Sequence, residues 1–207
     1  MDIARSINTA LRKVPAWPLY VLGMLPAASY FYWAVTNQLG ADPLKALEHQ
    51  LGIWALQLLI ATLLVTPIRN LFNVNLIKYR RAIGLLAFFY VCLHFTTYLW
   101  LDQQWAWATI WKDITKRPYI IIGMLAFLGL VPLAVTSNNA SIRRLGPAGW
   151  KALHRLVYPV AVFGAVHYLL LVKAWPPEPF VYLGIILILL GYRFLRLQRR
   201  RLAAQAG

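Results

Sequence analysis

Six stretches of the chain are apolar over close to membrane length, at residues 18–37, 50–68, 82–101, 118–137, 150–173 and 179–197, with short polar or basic runs between them. A helix needs about 20 apolar residues to cross the hydrocarbon core. The pattern therefore predicts an all-α integral membrane protein, a six-transmembrane-helix bundle over residues 18–197. Residues 1–17 form a separate basic segment: Ile3, Ile7, Leu11 and Val14 recur at helical spacing opposite Arg5, Arg12 and Lys13. That pattern suits a helix lying on a membrane surface; a basic flank of the first span is the competing reading. No charge occurs between Val14 and Ala41, so the first span is too long for a signal-peptide core and is expected to be retained. Proline is expected to stop the second span at Thr66 and Pro67, and Pro176 and Pro177 separate the last two. Residues 198–207 read as a basic tail.

Charge sets the orientation. The chain carries 21 Lys and Arg against 6 Asp and Glu. Sixteen of the 21 fall on the N-terminal segment, the loops after spans two and four, and the tail, leaving Lys45, Lys112, Lys116, Arg117 and Lys173 on the other face. The positive-inside rule then makes both termini cytoplasmic. A formal charge of +15 would suit nucleic acid on a soluble protein, but these cations lie between apolar segments, so topology explains them and no nucleic acid is expected. The one cysteine, Cys92, excludes an intrachain disulfide, and no CxxCH is present to attach haem covalently. No GxGxxG fingerprint occurs, so a nicotinamide or flavin domain is not expected in this chain. Electrons would come from outside it.

The candidate chemistry lies in the histidines. His94 in span three and His167 in span five sit inside apolar sequence, where an imidazole is costly unless it has a partner. Counted from the cytoplasmic ends of their spans they lie about 18 and 22 Å in, at nearly one level. Two such rings on neighbouring helices supply both axial ligands of a haem iron; hydrogen bonding between helices is the plainer alternative. His154 lies thirteen residues before His167, near the cytoplasmic interface and about 140° round a straight helix, and Pro159 between them could distort it. It reads equally as a ligand of a second, inner haem or as an interfacial histidine beside Arg155. Arg80 and Arg81 could pair with haem propionates or a phosphate. His49 reads as an exposed interfacial residue. Residues 102–117, with Trp105, Trp107 and Trp111, form the longest outward segment; with Trp175 and Glu178 they make the candidate docking surface for a redox partner, or simply anchor helix ends.

Several of these pieces occur together in a known order: GADPLKALEH at 40–49, LLVTP at 63–67, RRAIGLL at 80–86, LHFTTY at 93–98, ITKRPY at 114–119, then LHRLVY and VHYLLLVK in span five. Over nearly its whole length the chain resembles the ferric-reductase-like transmembrane superfamily, and within it the small bacterial MsrQ (YedZ) family. The resemblance implies a haem b electron carrier of the bacterial inner membrane. Such a carrier takes electrons from membrane quinol and passes them to a periplasmic molybdopterin methionine sulfoxide reductase subunit that repairs oxidised proteins. It implies haem b, one or two, and FMN as cofactors, and matches His94, His154 and His167 to the family's haem-related histidines. The NADPH oxidases of the superfamily carry two histidines in span three, where this chain has one. Two other readings are a ferric or cupric reductase and a proton-coupled transporter; the absence of carboxylates within the spans argues against the second.

Overall fold

Proline opens four of the helices, α2 at Pro18, α3 at Pro43, α6 at Pro118 and α9 at Pro177, where its missing N–H would be unpaired anyway. The computed structural model describes residues 2–172, 174 and 176–205. Among these the chain is helical with no strand: α1 (Asp2–Lys13), α2 (Pro18–Val35), α3 (Pro43–Phe72), α4 (Ile77–Thr96), α5 (Trp107–Lys116), α6 (Pro118–Val135), α7 (Asn139–Leu153), α8 (Val157–Leu171) and α9 (Pro177–Gln205). A π-helical turn, Thr97–Asp102, prolongs α4, and a 3-10 turn, His154–Leu156, joins α7 to α8. Asp42 caps α3 by accepting from the Lys45 N–H, and Asn73 ends it in the left-handed region.

Five helical stretches are long and apolar enough to cross a membrane: α3, α4 with its π turn, α6, the α7–α8 stretch and α9. The sixth expected span, α2, is uncharged over 18 residues but is diluted by two prolines, Ser29, tyrosines and Trp33, and is not among the five. The organising element is α3, which supplies side chains to all three packed clusters. Ile53, Leu56, Ile60 and Leu63 meet α8 and α9 through Ala161, Ala165, Ile186 and Leu189. Leu47, Leu51 and Ala55 meet α2 and α4 through Ala27 and Tyr90. Leu59 joins Ala87, Leu130 and Val160 of α4, α6 and α8.

Pro67 does not stop its helix; α3 runs five residues beyond it. Proline cannot donate to the carbonyl four residues earlier, here Leu63, and Arg193 of α9 fills that gap by donating from Nη2 at 2.7 Å. Nη1 of the same guanidinium donates to the Tyr158 hydroxyl at 2.9 Å. Arg193 thus turns into the bundle instead of extending from the helix end. The tail is helical through Gln205. A similar repair occurs in α2, where Pro26 disturbs the ladder: the buried Tyr90 hydroxyl donates to Gly23 O at 2.7 Å and accepts from Ala27 N at 3.1 Å, bridging an opened turn. Pro159 likewise leaves the Arg155 carbonyl without its helical donor, and the tight 3-10 turn sits at that point.

The two ends of the bundle differ in charge. At one, α1 is fastened to the α3–α4 connection: Asn8 bonds Asn73 O and Asn75 N, both at 2.8 Å, while Lys78 Nζ and the Tyr79 hydroxyl donate to carbonyls at the end of α1 and at Val14 just beyond it. Arg81 donates to Asn139, the first residue of α7, at 3.0 Å. The opposite end holds all the ion pairs found among the described residues: Lys45 with Glu48 and Asp102, and Arg117 with Asp113.

Candidate functional site

His94 in the last turn of α4 and His167 in α8 converge. Their ring centres are 6.2 Å apart and their planes stand at 81°. Each ring is tied back to a third helix: His94 Nδ1 lies 2.8 Å from the Glu48 carbonyl of α3, and His167 Nδ1 lies 2.7 Å from the Tyr119 carbonyl of α6. A carbonyl can only accept, so both protons sit on Nδ1 and both Nε2 atoms keep their lone pairs. No hydrogen bond engages either Nε2 among the described residues. A backbone bond to the far nitrogen is how proteins fix the tautomer and orientation of a ligand imidazole. Two rings 6.2 Å apart, each with an unbonded Nε2, could supply two donors to one metal ion; no group of three or more His, Cys, Asp or Glu that could hold a metal occurs among the described residues.

His154 is not part of this pair. Its Nε2 lies 3.0 Å from the Thr136 hydroxyl, and its ring stacks on Trp150 with centres 3.8 Å apart. Arg80 and Arg81 are its charged neighbours, but the two arginines diverge. Arg81 is exposed and held by Asn139, whereas the half-buried Arg80 faces Arg193 and Tyr158. No carboxylate pairs with either among the described residues. His49 is not the exposed residue expected. With α3 starting at Pro43, it lies well inside the helix, half-buried, its Nε2 buried without a partner and its ring 5.4 Å from that of Tyr168.

Residues 102–117 form a short amphipathic helix with a lead-in. Ile110 and Asp113 of α5 are buried, Asp113 accepting from Tyr98 and pairing with Arg117. Trp107 and Trp111, one turn apart, are 65% and 68% exposed, and Trp105, 46% exposed, lies against Trp107. Trp175, the other tryptophan of that surface, is outside the described residues, as is Lys173; Glu178 is exposed at the start of α9.

The partners of the histidine pair, the carbonyls of Glu48 and Tyr119, were not foreseen, nor were Gly52 and Gly123 against which the rings lie. A backbone acceptor leaves no signature in sequence. The glycines do leave one, as isolated breaks in apolar helices that ask for a packing reason.

Comparison with known proteins supplies the family. Residues 51–165, which include His94 and His154, match the family described as ferric reductase like transmembrane component. The chain is 51% identical over 200 residues to the protein-methionine-sulfoxide reductase heme-binding subunit MsrQ of Brucella ovis (strain ATCC 25840 / 63/290 / NCTC 10512), covering 94% of this chain and 90% of the relative. The MsrQ of Brucella melitensis biotype 2 (strain ATCC 23457) is 50% identical over the same shares. With likeness at this level across nearly all of its length, the chain belongs to the ferric-reductase-like transmembrane family and, within it, to the MsrQ family.

Proposed function

We propose that this chain is a haem b electron-transfer subunit of the bacterial inner membrane, passing electrons from quinol to a periplasmic, molybdenum-dependent methionine sulfoxide reductase. The observation that carries the reading is the His94–His167 pair: ring centres 6.2 Å apart, with each Nδ1 pinned on a different helix. A metal–imidazole bond is about 2 Å, and the ring centre lies about 1 Å beyond the nitrogen. An iron between two imidazoles therefore needs centres about 6 Å apart, and these residues fit. The names of the relatives, heme-binding subunits of a protein-methionine-sulfoxide reductase, support the same assignment.

In this reading His94 and His167 hold the iron, while Glu48 and Tyr119 fix their tautomers and raise their basicity through backbone carbonyls. Bound haem supplies a one-electron store. The surrounding apolar helices keep water from the site, which with bis-imidazole ligation favours electron transfer over oxygen chemistry. Quinol gives up two electrons and two protons; the sulfoxide takes two electrons and two protons to become thioether and water. One haem is proposed, because none of the other three histidines faces His154 as a second ligand: two are committed to the pair and His49 packs near the opposite end of α3. The inner level is assigned instead to anion binding, with Arg80 and Arg81 as contacts to a propionate or to the phosphate of FMN.

The topology that fits has six crossings, α2 included, with the basic end cytoplasmic. It carries the paired-histidine end, with the exposed Trp105, Trp107 and Trp111, toward the periplasm and the reductase. The deciding experiment measures haem per purified chain by pyridine haemochrome and then quinol-driven reduction of methionine sulfoxide with the reductase subunit added. One haem b per chain and transfer that requires both partners are expected. Protein that binds no haem when expressed with haem in excess overturns the proposal.

A further inference from the structure

We propose that Gly52 and Gly123 are positioning residues for the two ligand histidines, each completing a cradle with the backbone carbonyl four residues earlier on its own helix. The inference rests on the reading that His94 and His167 ligate haem, and adds what sets their rings. Residues four apart lie one above the other on a helix face, and the carbonyl of residue i points along the axis toward residue i+4. A ring that reaches the Glu48 carbonyl from the side therefore passes over residue 52, and one that reaches Tyr119 passes over residue 123. Both positions are glycine. A Cβ at Gly123 would stand 2.7 Å from His167 Nδ1, 2.9 Å from its Cε1 and 3.2 Å from its Cγ. A Cβ at Gly52 would stand 3.3 Å from His94 Nδ1 and 3.4 Å from its Cε1. The same edge of the imidazole meets the glycine in both cases, although one cradle joins α3 to α4 and the other α6 to α8.

Glycines in membrane helices also serve simple close packing, and this chain offers that case for contrast. A Cβ at Gly129 would meet Val160 Cγ2 at 2.6 Å, and one at Gly23 would meet Leu86 Cδ1 at 2.5 Å. Those neighbours are aliphatic methyl groups without a polar bond to lose, so a shift there costs packing and moves no ligand ring. The His167 ring is not free to shift once Nδ1 is held by a carbonyl and Nε2 by iron, so an added methyl must tilt the ring or break one of its two bonds. The cradles thereby hold the two imidazole planes near the 81° seen here.

The electron paramagnetic resonance spectrum of a low-spin ferric haem reports this directly, because its largest g value follows the angle between the two axial imidazole planes. In the full-length protein with haem bound, Gly123→Ala is expected to shift that signal or convert part of it to a five-coordinate high-spin form. Gly52→Ala should shift it less and Gly52→Val more, as the contact tightens. Gly129→Ala and Gly23→Ala should leave the signal in place even where they lower thermal stability. The graded Gly52 pair keeps the test available if Gly123→Ala does not fold. A Gly52→Val protein with full haem and the unaltered signal overturns the cradle, as does a Gly129→Ala shift equal to that of Gly123→Ala. Failure of the ligand reading is seen separately, in a His167→Ala protein that keeps the parent spectrum, and takes the cradle with it.

Discussion

The two ends of this bundle both carry histidine, but only one brings two rings together with their Nδ1 atoms both held by backbone carbonyls. At the paired end, each imidazole gives its Nδ1 proton to a backbone carbonyl, and each Nε2 is left free. At the basic end, His154 meets a threonine hydroxyl through Nε2 itself, and Trp150 covers one face of its ring. A hydroxyl can donate as well as accept, so that contact fixes no tautomer. The surroundings diverge too. Ion pairs balance the charges at the paired end, while Arg80, Arg81 and Arg193 have no carboxylate among the described residues. Residue type alone therefore does not distinguish the two ends; what each ring nitrogen touches does.

The strongest way to break the comparison is to remove the imidazoles one at a time. His94→Ala or His167→Ala is expected to abolish the low-spin haem spectrum, since a single axial ligand leaves the iron five-coordinate and weakly held. His154→Ala is expected to leave it unchanged. Optical difference spectra with haem content per chain decide the matter. Loss of haem in the His154 variant would make the basic end a second iron site.

A smaller effect is expected where α3 and α9 join the two ends. Arg193→Met strips the Leu63 carbonyl of the side-chain donor it has among the described residues, at a cost of about 1–3 kcal/mol for an unsatisfied buried acceptor. Restoring a backbone N–H by Pro67→Ala supplies the missing helical donor, so the double variant should be less destabilised than Arg193→Met alone. Unfolding of the four proteins in detergent forms the cycle. Strict additivity would mean that the proline and the arginine are unrelated.

Much of this was legible from the amino acids because membrane helices announce themselves by apolar length. His94 and His167 stood out as the polar rings in their uncharged runs. What was hidden was backbone. Pro67 reads as a stop when considered alone, and only a guanidinium 126 residues away on α9 makes it tolerable. The break between α7 and α8 depends on Pro159 and on a hydroxyl that holds His154 from α6's end. The position of His49 followed from where α3 begins, and Asp42 with Pro43 marked that start in the sequence. The carbonyls of Glu48 and Tyr119 could not be foreseen, since every residue has one.

The least disruptive test concerns the surface outside the paired end. Asp113 and Ile110 hold α5 down, so Trp107 and Trp111 face outward because their side of a 3.6-residue helix is the only one left. Trp105 reaches the same patch through a left-handed turn at Gln104 and Trp105, with φ of +46° and +59°. Tryptophans in such a place anchor helices at the membrane interface, but they also serve as contact residues in protein interfaces, and the transfer chain proposed above needs a protein to dock over this end. Replacing Trp105, Trp107 and Trp111 together by alanine should leave haem content and stability nearly unchanged, because none contributes to a packed cluster. Quinol-driven transfer at limiting reductase should fall about tenfold, the equivalent of about 1.4 kcal/mol of lost binding, and recover at saturating reductase, since encounters between redox partners rest on small contacts. Transfer unaltered at limiting partner would reduce the three tryptophans to membrane anchors and remove them from the docking site.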